Sequence, residues 1–133
     1  MTTSKPYKLF LDDVRFPNQV KWIPEVSTNW RDWAIVRNCK EFSAIINERG
    51  IPSEVSFDHD LGYDMDTKEE ITGIDCLRVL AAECIKRRQP MPKCFIHSQN
   101  PVGRDNLINL IKHSILGINQ IISNDYNEAA NGE

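Results

Sequence analysis

Residues 56–62 read SFDHDLG, so two carboxylates and an imidazole follow directly on a short apolar run. Charged side chains are costly to bury unless they are paired or bind a metal ion. The stretch is therefore either an exposed loop or part of a functional site. The apolar run itself predicts a strand that delivers these polar groups to one edge of a sheet.

Two further apolar runs end in the same way. The three runs are residues 7–11 before Asp12 and Asp13, residues 54–57 before Asp58, His59 and Asp60, and residues 93–96 before His97, Ser98, Gln99 and Asn100. A fourth run, residues 33–36, ends at Arg37. Strands of an open α/β sheet present polar side chains at one edge in this manner.

Helical periodicity occupies the segments between the runs. Residues 40–49, 71–88 and 101–117 repeat their apolar positions at steps of three and four, which predicts three helices. Asn100 before Pro101 predicts a helix start, and Gly117 predicts the end of that helix. Residues 14–32 are interrupted by prolines and predict an ordered loop or flap near the site instead of a long helix.

Strands that alternate with helices pair in parallel through right-handed crossovers. We expect a three-layer α/β sandwich with a mainly parallel sheet of four or five strands, in the spatial order 2-1-3-4. Residues 1–133 are expected to form one domain with a core at about 7–117 and a tail at 118–133. In that tail, residues 118–122 could add an edge strand, and residues 124–133 are expected to fray.

The composition is that of an ordinary globular protein. The formal net charge of −3 argues against a partner such as long nucleic acid, which usually meets a basic face. No secretory signal or membrane-spanning run is present, so we expect a cytoplasmic protein without a membrane partner. The four cysteines form no C-x-x-C pair and are expected to be reduced.

The acidic residues predict a metal site. If the first and third strands are neighbours, Asp12, Asp13, Asp58 and Asp60 converge at one edge, where a divalent cation would relieve their repulsion. Oxygen ligands favour Mg²⁺, or Mn²⁺ as a close substitute. Because strand side chains alternate between faces, we expect Asp13 and Asp58 as direct ligands, Asp12 as support, and Asp60 orienting a water or capping the loop.

The stretch IHSQNPVGR, residues 96–104, predicts a place for a phosphate. The Ser98 hydroxyl, the helix start after Asn100 and the fork of Arg104 can all hold an anion. Arg15 and Arg37 are further cations at the same edge, predicted to contact phosphate, with simple surface solvation as the alternative.

Two histidines are candidates for proton transfer. His59 can be a metal ligand, a general acid or base, or only an ion-pair partner of the acids beside it. His97 can protonate a leaving oxygen or can simply be packed at a strand end. His113 lies midway along a helix and is interpreted as structural.

Five stretches together resemble the cyclic-phosphate processing receiver domains. They are LFLDDVRFPN, VRN, SFDHDLG, TGIDCLRVL and IHSQNPVGRDNL, and the resemblance spans Leu9 to about Leu116. It implies a receiver-like, flavodoxin-like fold in which Asp12 and Asp13 match the acidic pair. Asp58 then matches the phosphoacceptor, and Ser98 the hydroxyl residue after the fourth strand.

The chain also departs from an ordinary receiver. The candidate fifth strand INQIIS ends in Ser123 and not in lysine, and His59 and Asp60 flank the acceptor position. These departures favour hydrolysis of a phosphoester over signalling. The resemblance implies a metal-dependent hydrolase, namely a phosphodiesterase that acts on a small cyclic phosphate or cyclic nucleotide. The alternatives are a noncatalytic binder of a phosphorylated nucleotide signal and a divergent phosphoacceptor receiver domain. A homo-oligomer is left open.

Overall fold

A computed structural model describes residues 5–131 of the chain. Its strands are β1 (Lys8–Leu11), β2 (Trp33–Val36), β3 (Glu54–Phe57), β4 (Asp60–Asp64), β5 (Glu69–Thr72) and β6 (Lys93–Ile96). Its helices are α1 (Pro24–Ser27), α2 (Cys39–Arg49), α3 (Gly73–Arg87) and α4 (Pro101–Asn131), with single 3₁₀ turns at Pro17–Gln19 and Trp30–Asp32.

The main sheet is parallel throughout and has the order β2-β1-β3-β6. The predicted α/β class and the predicted strand order are therefore confirmed. The registers align the strand ends, because Leu11 lies opposite both Val36 and Phe57, and Phe57 lies opposite Ile96. The residues that follow these strands consequently meet at one edge. Within residues 5–131 the sheet has four strands and no fifth.

The two faces of the sheet are covered differently. Leu9 and Leu11 belong to the larger core, to which α2, α3 and α4 contribute residues such as Leu77. Phe10 points the other way and packs with residues of the segment 14–32, notably Val26. This segment completes the third layer with one short helix and two 3₁₀ turns, so the prediction of an ordered segment without a long helix is confirmed.

The predicted end of the last helix is wrong. Helix α4 runs through Gly117, and Ile118 is 1% exposed in the same core as Ile111. A single helical glycine costs only about 1 kcal/mol, which burial of one isoleucine offsets. Residues 118–122 are therefore helical and not an edge strand, and residues 124–131 are helical instead of frayed, whereas residues 132 and 133 lie outside the described part.

A hairpin between β3 and α3 was not predicted. Strands β4 and β5 pair antiparallel, and the turn between them is closed by Asp64, whose carboxylate accepts the Asp66 N–H at 2.8 Å. Both strands are largely exposed and charged. They lack the apolar alternation by which a strand is normally detected.

The expectation of four reduced cysteines is also wrong. Cys39 at the start of α2 and Cys76 in α3 form a disulfide with Cα atoms 5.4 Å apart, while Cys84 and Cys94 are free. The two bridged cysteines lie in different helices, so only the packing of α2 against α3 brings the pair within bridging distance.

Among the helices of residues 5–131, none combines the length and hydrophobicity that a bilayer crossing requires.

Replacing Gly117 tests the continuity of α4. We expect Gly117→Ala to raise the free energy of unfolding by about 0.5–1 kcal/mol, because alanine favours the helix and nothing lies within 4 Å of the added methyl group. Chemical denaturation measures the change. Gly50→Ala is the matched control and should be destabilising, since Gly50 has a φ of 88°. A loss of stability in Gly117→Ala would contradict a continuous helix.

Candidate functional site

The carboxyl ends of β1, β3 and β6 bring Asp12, Asp58 and His97 together. Their potential ligand atoms all lie within 4.8 Å of one another, and all three residues are buried. The parallel register explains this convergence, because the Asp58 N–H donates to the Leu11 carbonyl at 3.0 Å and the His97 N–H to the Phe57 carbonyl at 2.9 Å. This cluster can hold a metal ion.

Asp12 is the most tightly held of the three. Its Oδ1 accepts the N–H groups of Val14 at 2.9 Å and of Arg15 at 2.8 Å, and its Oδ2 lies 3.0 Å from His97 Nε2. Burial opposes ionisation, but these hydrogen bonds outweigh it and lower the pKa of Asp12 to about 2. Asp12 is therefore a fixed negative charge at neutral pH.

His97 supports Asp12 from below the site. Its Nδ1 lies 2.7 Å from the Ser56 hydroxyl, and its ring stacks on Phe10 with centroids 4.5 Å apart. Burial lowers the pKa of His97 despite the Asp12 carboxylate. In the neutral ring Nε2–H donates to Asp12, and Nδ1 accepts from Ser56, so both nitrogens are used within the protein.

Ser56 was not predicted as part of the site. The signal in the sequence was a hydroxyl residue between the apolar Val55 and Phe57 of β3, which the alternation of the strand places on the opposite face. A fully buried hydroxyl needs a hydrogen-bond partner. That partner, His97, could be identified only from the structure, which shows its ring turned towards Ser56.

Asp58 is a buried carboxyl group beside the negative charge of Asp12. It is 6% exposed, and its Oδ1 accepts the His59 N–H at 2.9 Å. Burial, followed by the charge of Asp12, raises the pKa of Asp58 to about 7. The same two causes raise the pKa of the half-buried Asp13. A divalent cation among these carboxylates would relieve their repulsion, so the donor set fits such an ion.

A pocket of about 640 Å³ opens over the cluster. Asp13 and Asp60 line it together with Asp12 and Asp58, and Arg15 supplies a cation. Four carboxylates against one guanidinium make the pocket strongly anionic, and hard oxygen donors of this kind suit Mg²⁺ or Mn²⁺.

Ser98 and Asn100 form the wall at the start of α4. The Ser98 Oγ accepts the Asn100 N–H at 3.2 Å, so its own hydroxyl hydrogen is available to a ligand. Asn100 caps the helix, since its Oδ1 accepts the Gly103 N–H at 3.2 Å. Arg15 donates to the Gln99 side chain at 3.2 Å. This side of the pocket therefore presents donors that an anion can use.

Arg37 and Arg104 do not line the acidic pocket. Arg37 Nη1 donates to the carbonyls of Asp12, at 3.0 Å, and of Arg15, and thereby braces the turn after β1. Arg104 Nη1 donates to the Ile96 carbonyl at 2.8 Å and lines a neighbouring cavity. Both guanidinium groups are thus engaged with backbone oxygens outside the acidic pocket.

His59 lies beside the pocket and is held by Asp60, with Nδ1 2.9 Å from Asp60 Oδ1. Its ring packs so closely on α4 that a methyl group at Gly103 would overlap it. A methyl group at Gly73, the first residue of α3, would likewise overlap the Asp58 carbonyl. The two glycines therefore let α3 and α4 start against residues 58 and 59.

The parallel sheet, the acidic pair after β1 and the aspartate after β3 define a receiver-like α/β domain. The family model of the cyclic-phosphate processing receiver domain matches residues 7–113, which is most of the chain. The chain therefore belongs to this family. No match was found among curated proteins, and none among solved structures.

Asp58 makes the stability of the cation-free protein dependent on pH. Its folded-state pKa of about 7 exceeds the ordinary 3.8, so the folded protein retains a proton that the unfolded chain releases. The free energy of unfolding should fall as pH rises from about 4 to about 7. Asp58→Asn should remove most of this fall, with a smaller part left by the raised pKa of Asp13, and be more stable at pH 8 by about 1–3 kcal/mol.

Denaturation across that pH range in EDTA measures the difference. Asp105→Asn is the control, because Asp105 is exposed on α4 and should behave like the parent protein. Equal pH profiles for the parent and Asp58→Asn would contradict a buried Asp58 with a raised pKa.

A bound cation should make the parent protein more stable than Asp58→Asn, which is the reverse of their order in EDTA. We expect Mg²⁺ or Mn²⁺ to raise the melting temperature of the parent protein, corresponding to about 2.7 kcal/mol at one hundred times the dissociation constant. Asp58→Asn should lose most of that gain, and Asp105→Asn should keep it. A cation response that survives in Asp58→Asn would place the ion elsewhere.

Proposed function

We propose that this protein is a phosphodiesterase that hydrolyses a small cyclic phosphate, with Mg²⁺ or Mn²⁺ held by Asp12, Asp13 and Asp58. The observation that carries the proposal is the pair of buried carboxylates, Asp12 and Asp58, on one pocket that also contains the donors Arg15 and Ser98. The description of the family, cyclic-phosphate processing, supports the substrate class.

The negative charge of the pocket explains why a cyclic phosphate would need the cation in order to bind. A cyclic phosphodiester is an anion, and the pocket opposes four carboxylates to one guanidinium. When bound, the cation would offset this charge and polarise a phosphoryl oxygen. Binding of the cyclic phosphate should therefore be lost in EDTA, whether or not turnover follows.

The residues around the cation would have separate tasks. Arg15 and Ser98 would donate hydrogen bonds to the nonbridging phosphoryl oxygens, Arg15 through its fork. His97 would act as a positioning residue, because it holds the Asp12 carboxylate in one orientation. Asn100 would fix the wall of the pocket, as the cap of α4 and through its amide 3.4 Å from both Asp60 oxygens.

Hydrolysis also requires movement of protons. Water adds to phosphorus, one ring P–O bond breaks, and the leaving oxygen takes up a proton, which gives a phosphomonoester and a hydroxyl group. We assign this transfer to His59, which is hydrogen-bonded to Asp60 on the pocket wall. His97 is less suited, since both its nitrogens are engaged beneath the pocket.

A noncatalytic binder is the second candidate. The observation that favours it is the position of the histidines, because neither His59 nor His97 lines the acidic pocket. Such a binder would use the same cation, Arg15 and Ser98 without proton transfer. A phosphoacceptor receiver has less support, since in the described chain α4 and no strand follows β6, so a lysine on a fifth strand has no counterpart.

Turnover is tested with a panel of nucleoside cyclic phosphates and cyclic mono- and dinucleotides, in Mg²⁺, Mn²⁺ or EDTA, with products followed by chromatography. We expect cation-dependent opening of at least one compound, reduced about 100-fold or more in Asp58→Asn and unchanged in Asp105→Asn. Cation-dependent retention of an intact ligand would instead identify a binder. Stable labelling of Asp58 by acetyl phosphate would identify a phosphoacceptor.

A further inference from the structure

A second cavity, of about 820 Å³, adjoins the acidic pocket. It lies between the segment 14–32, strand β6 and helix α4, which contribute Trp22, Phe95 and Ile108 to its lining. Ser98 and Gln99 line both cavities. A ligand whose phosphate occupies the acidic pocket can therefore extend directly into this second space.

The lining of the second cavity differs in chemistry from the acidic pocket. Its walls carry a tryptophan, a phenylalanine and three isoleucines, with Glu25, Ser98, Gln99 and Arg104 as polar groups. An apolar cavity with a few polar groups, and a volume within the range of about 300–1,000 Å³, is typical of a site for an organic ligand.

The absence of a fifth strand in the described chain is what leaves this space open. Strand β6 pairs only with β3 within residues 5–131, and its other side faces the cavity. Arg104 already occupies the Ile96 carbonyl of this edge at 2.8 Å. A further strand at this edge would compete with Arg104 for that carbonyl, whereas a ligand in the cavity would not need it.

Trp22 lines the second cavity and is held in place by two contacts. Its indole N–H donates to the His97 carbonyl at 3.1 Å, and the Arg15 guanidinium lies 5.4 Å from the centre of its ring. The side chain is nevertheless 43% exposed, so part of the ring can be reached. An aromatic ring that is fixed before binding loses little conformational entropy when a ligand stacks on it.

We propose that the second cavity binds the base of a nucleoside cyclic phosphate, stacked on Trp22, while the phosphate lies against Arg15 and Ser98 in the acidic pocket. The inference rests on the proposed function for the position of the phosphate. Arg15 connects the phosphate position with the base position, because it lines the acidic pocket and also stacks on Trp22. A nucleoside is thus preferred over a cyclic phosphate that carries only a small polyol.

Two probes with the same five-membered cyclic phosphate separate these classes. They are adenosine 2′,3′-cyclic phosphate and glycerol 1,2-cyclic phosphate, and their affinities are measured by calorimetry in Mg²⁺, with the intact ligand checked by chromatography. The readout is the ratio of the two affinities. Loss of Trp22 also releases Arg15 and would weaken both probes, but only a base subsite makes the ratio depend on the indole.

We expect the parent protein to favour the adenosine compound, and Trp22→Ala to reduce that preference about 5- to 150-fold. Trp22→Phe keeps an aromatic ring without the N–H donor and should retain most of the preference. It also covers the case in which Trp22→Ala folds poorly. Trp30→Ala is the matched control, because Trp30 is 38% exposed in the same segment, stacks on Arg31 and lines neither cavity.

The outcomes separate this inference from the proposed function. An affinity ratio that is the same in the parent protein and in Trp22→Ala would overturn the base subsite and leave the hydrolase proposal standing. Binding of the adenosine compound that depends on Trp22 but is never followed by ring opening would support the subsite and overturn hydrolysis. No binding of either probe would overturn both. Dimerisation that Trp22→Ala abolishes would show that a second copy covers the cavity, which would also overturn the subsite.

Discussion

The negative charge of Asp12 is buried at the end of β1, and much of the surrounding structure keeps it there. Two backbone N–H groups, the ring of His97 and, behind that ring, Ser56 form a continuous chain of hydrogen bonds to this carboxylate. Without these partners, burial would cost several kcal/mol or force protonation. The chain crosses three strands, so the same bonds also fix how β1, β3 and β6 end.

Asp58 accepts a hydrogen bond from the His59 N–H and lacks a set of partners like that of Asp12 within residues 5–131, and this asymmetry sets the pKa values of the two aspartates apart. Asp12 is held ionised, and its charge then makes ionisation of the neighbouring Asp58 unfavourable. The conflict is tolerated because the rest of the fold holds these groups together. Gly73 and Gly103 let two helices start against residues 58 and 59, and Arg37 braces the turn after β1. Strain of this electrostatic kind is what a divalent cation can convert into binding energy.

Sequence patterns predicted the elements that have a strong local signal. The four strands of the main sheet are short apolar runs that end in polar residues, and α2 and α3 have clear caps and periodicity. The predictions failed where a local signal competed with packing that comes from distant residues. Gly117 reads as a helix end, yet burial of Ile118 carries the helix onward. The hairpin of β4 and β5 carries almost no apolar pattern, and the bridge from Cys39 to Cys76 depends on two helices packing side by side.

The sequence by itself determined the fold class and the residues that could form an acidic edge, because strand ends and polar residues are read from local order along the chain. Only the tertiary structure decided which of those groups touch. In the structure the His97 ring is hydrogen-bonded to Asp12 and Ser56, and the guanidinium groups of Arg37 and Arg104 donate to backbone carbonyls. The tertiary structure also set Trp22 beside Arg15 over a second cavity. These choices depend on distances between segments tens of residues apart, which one-dimensional spacing does not encode.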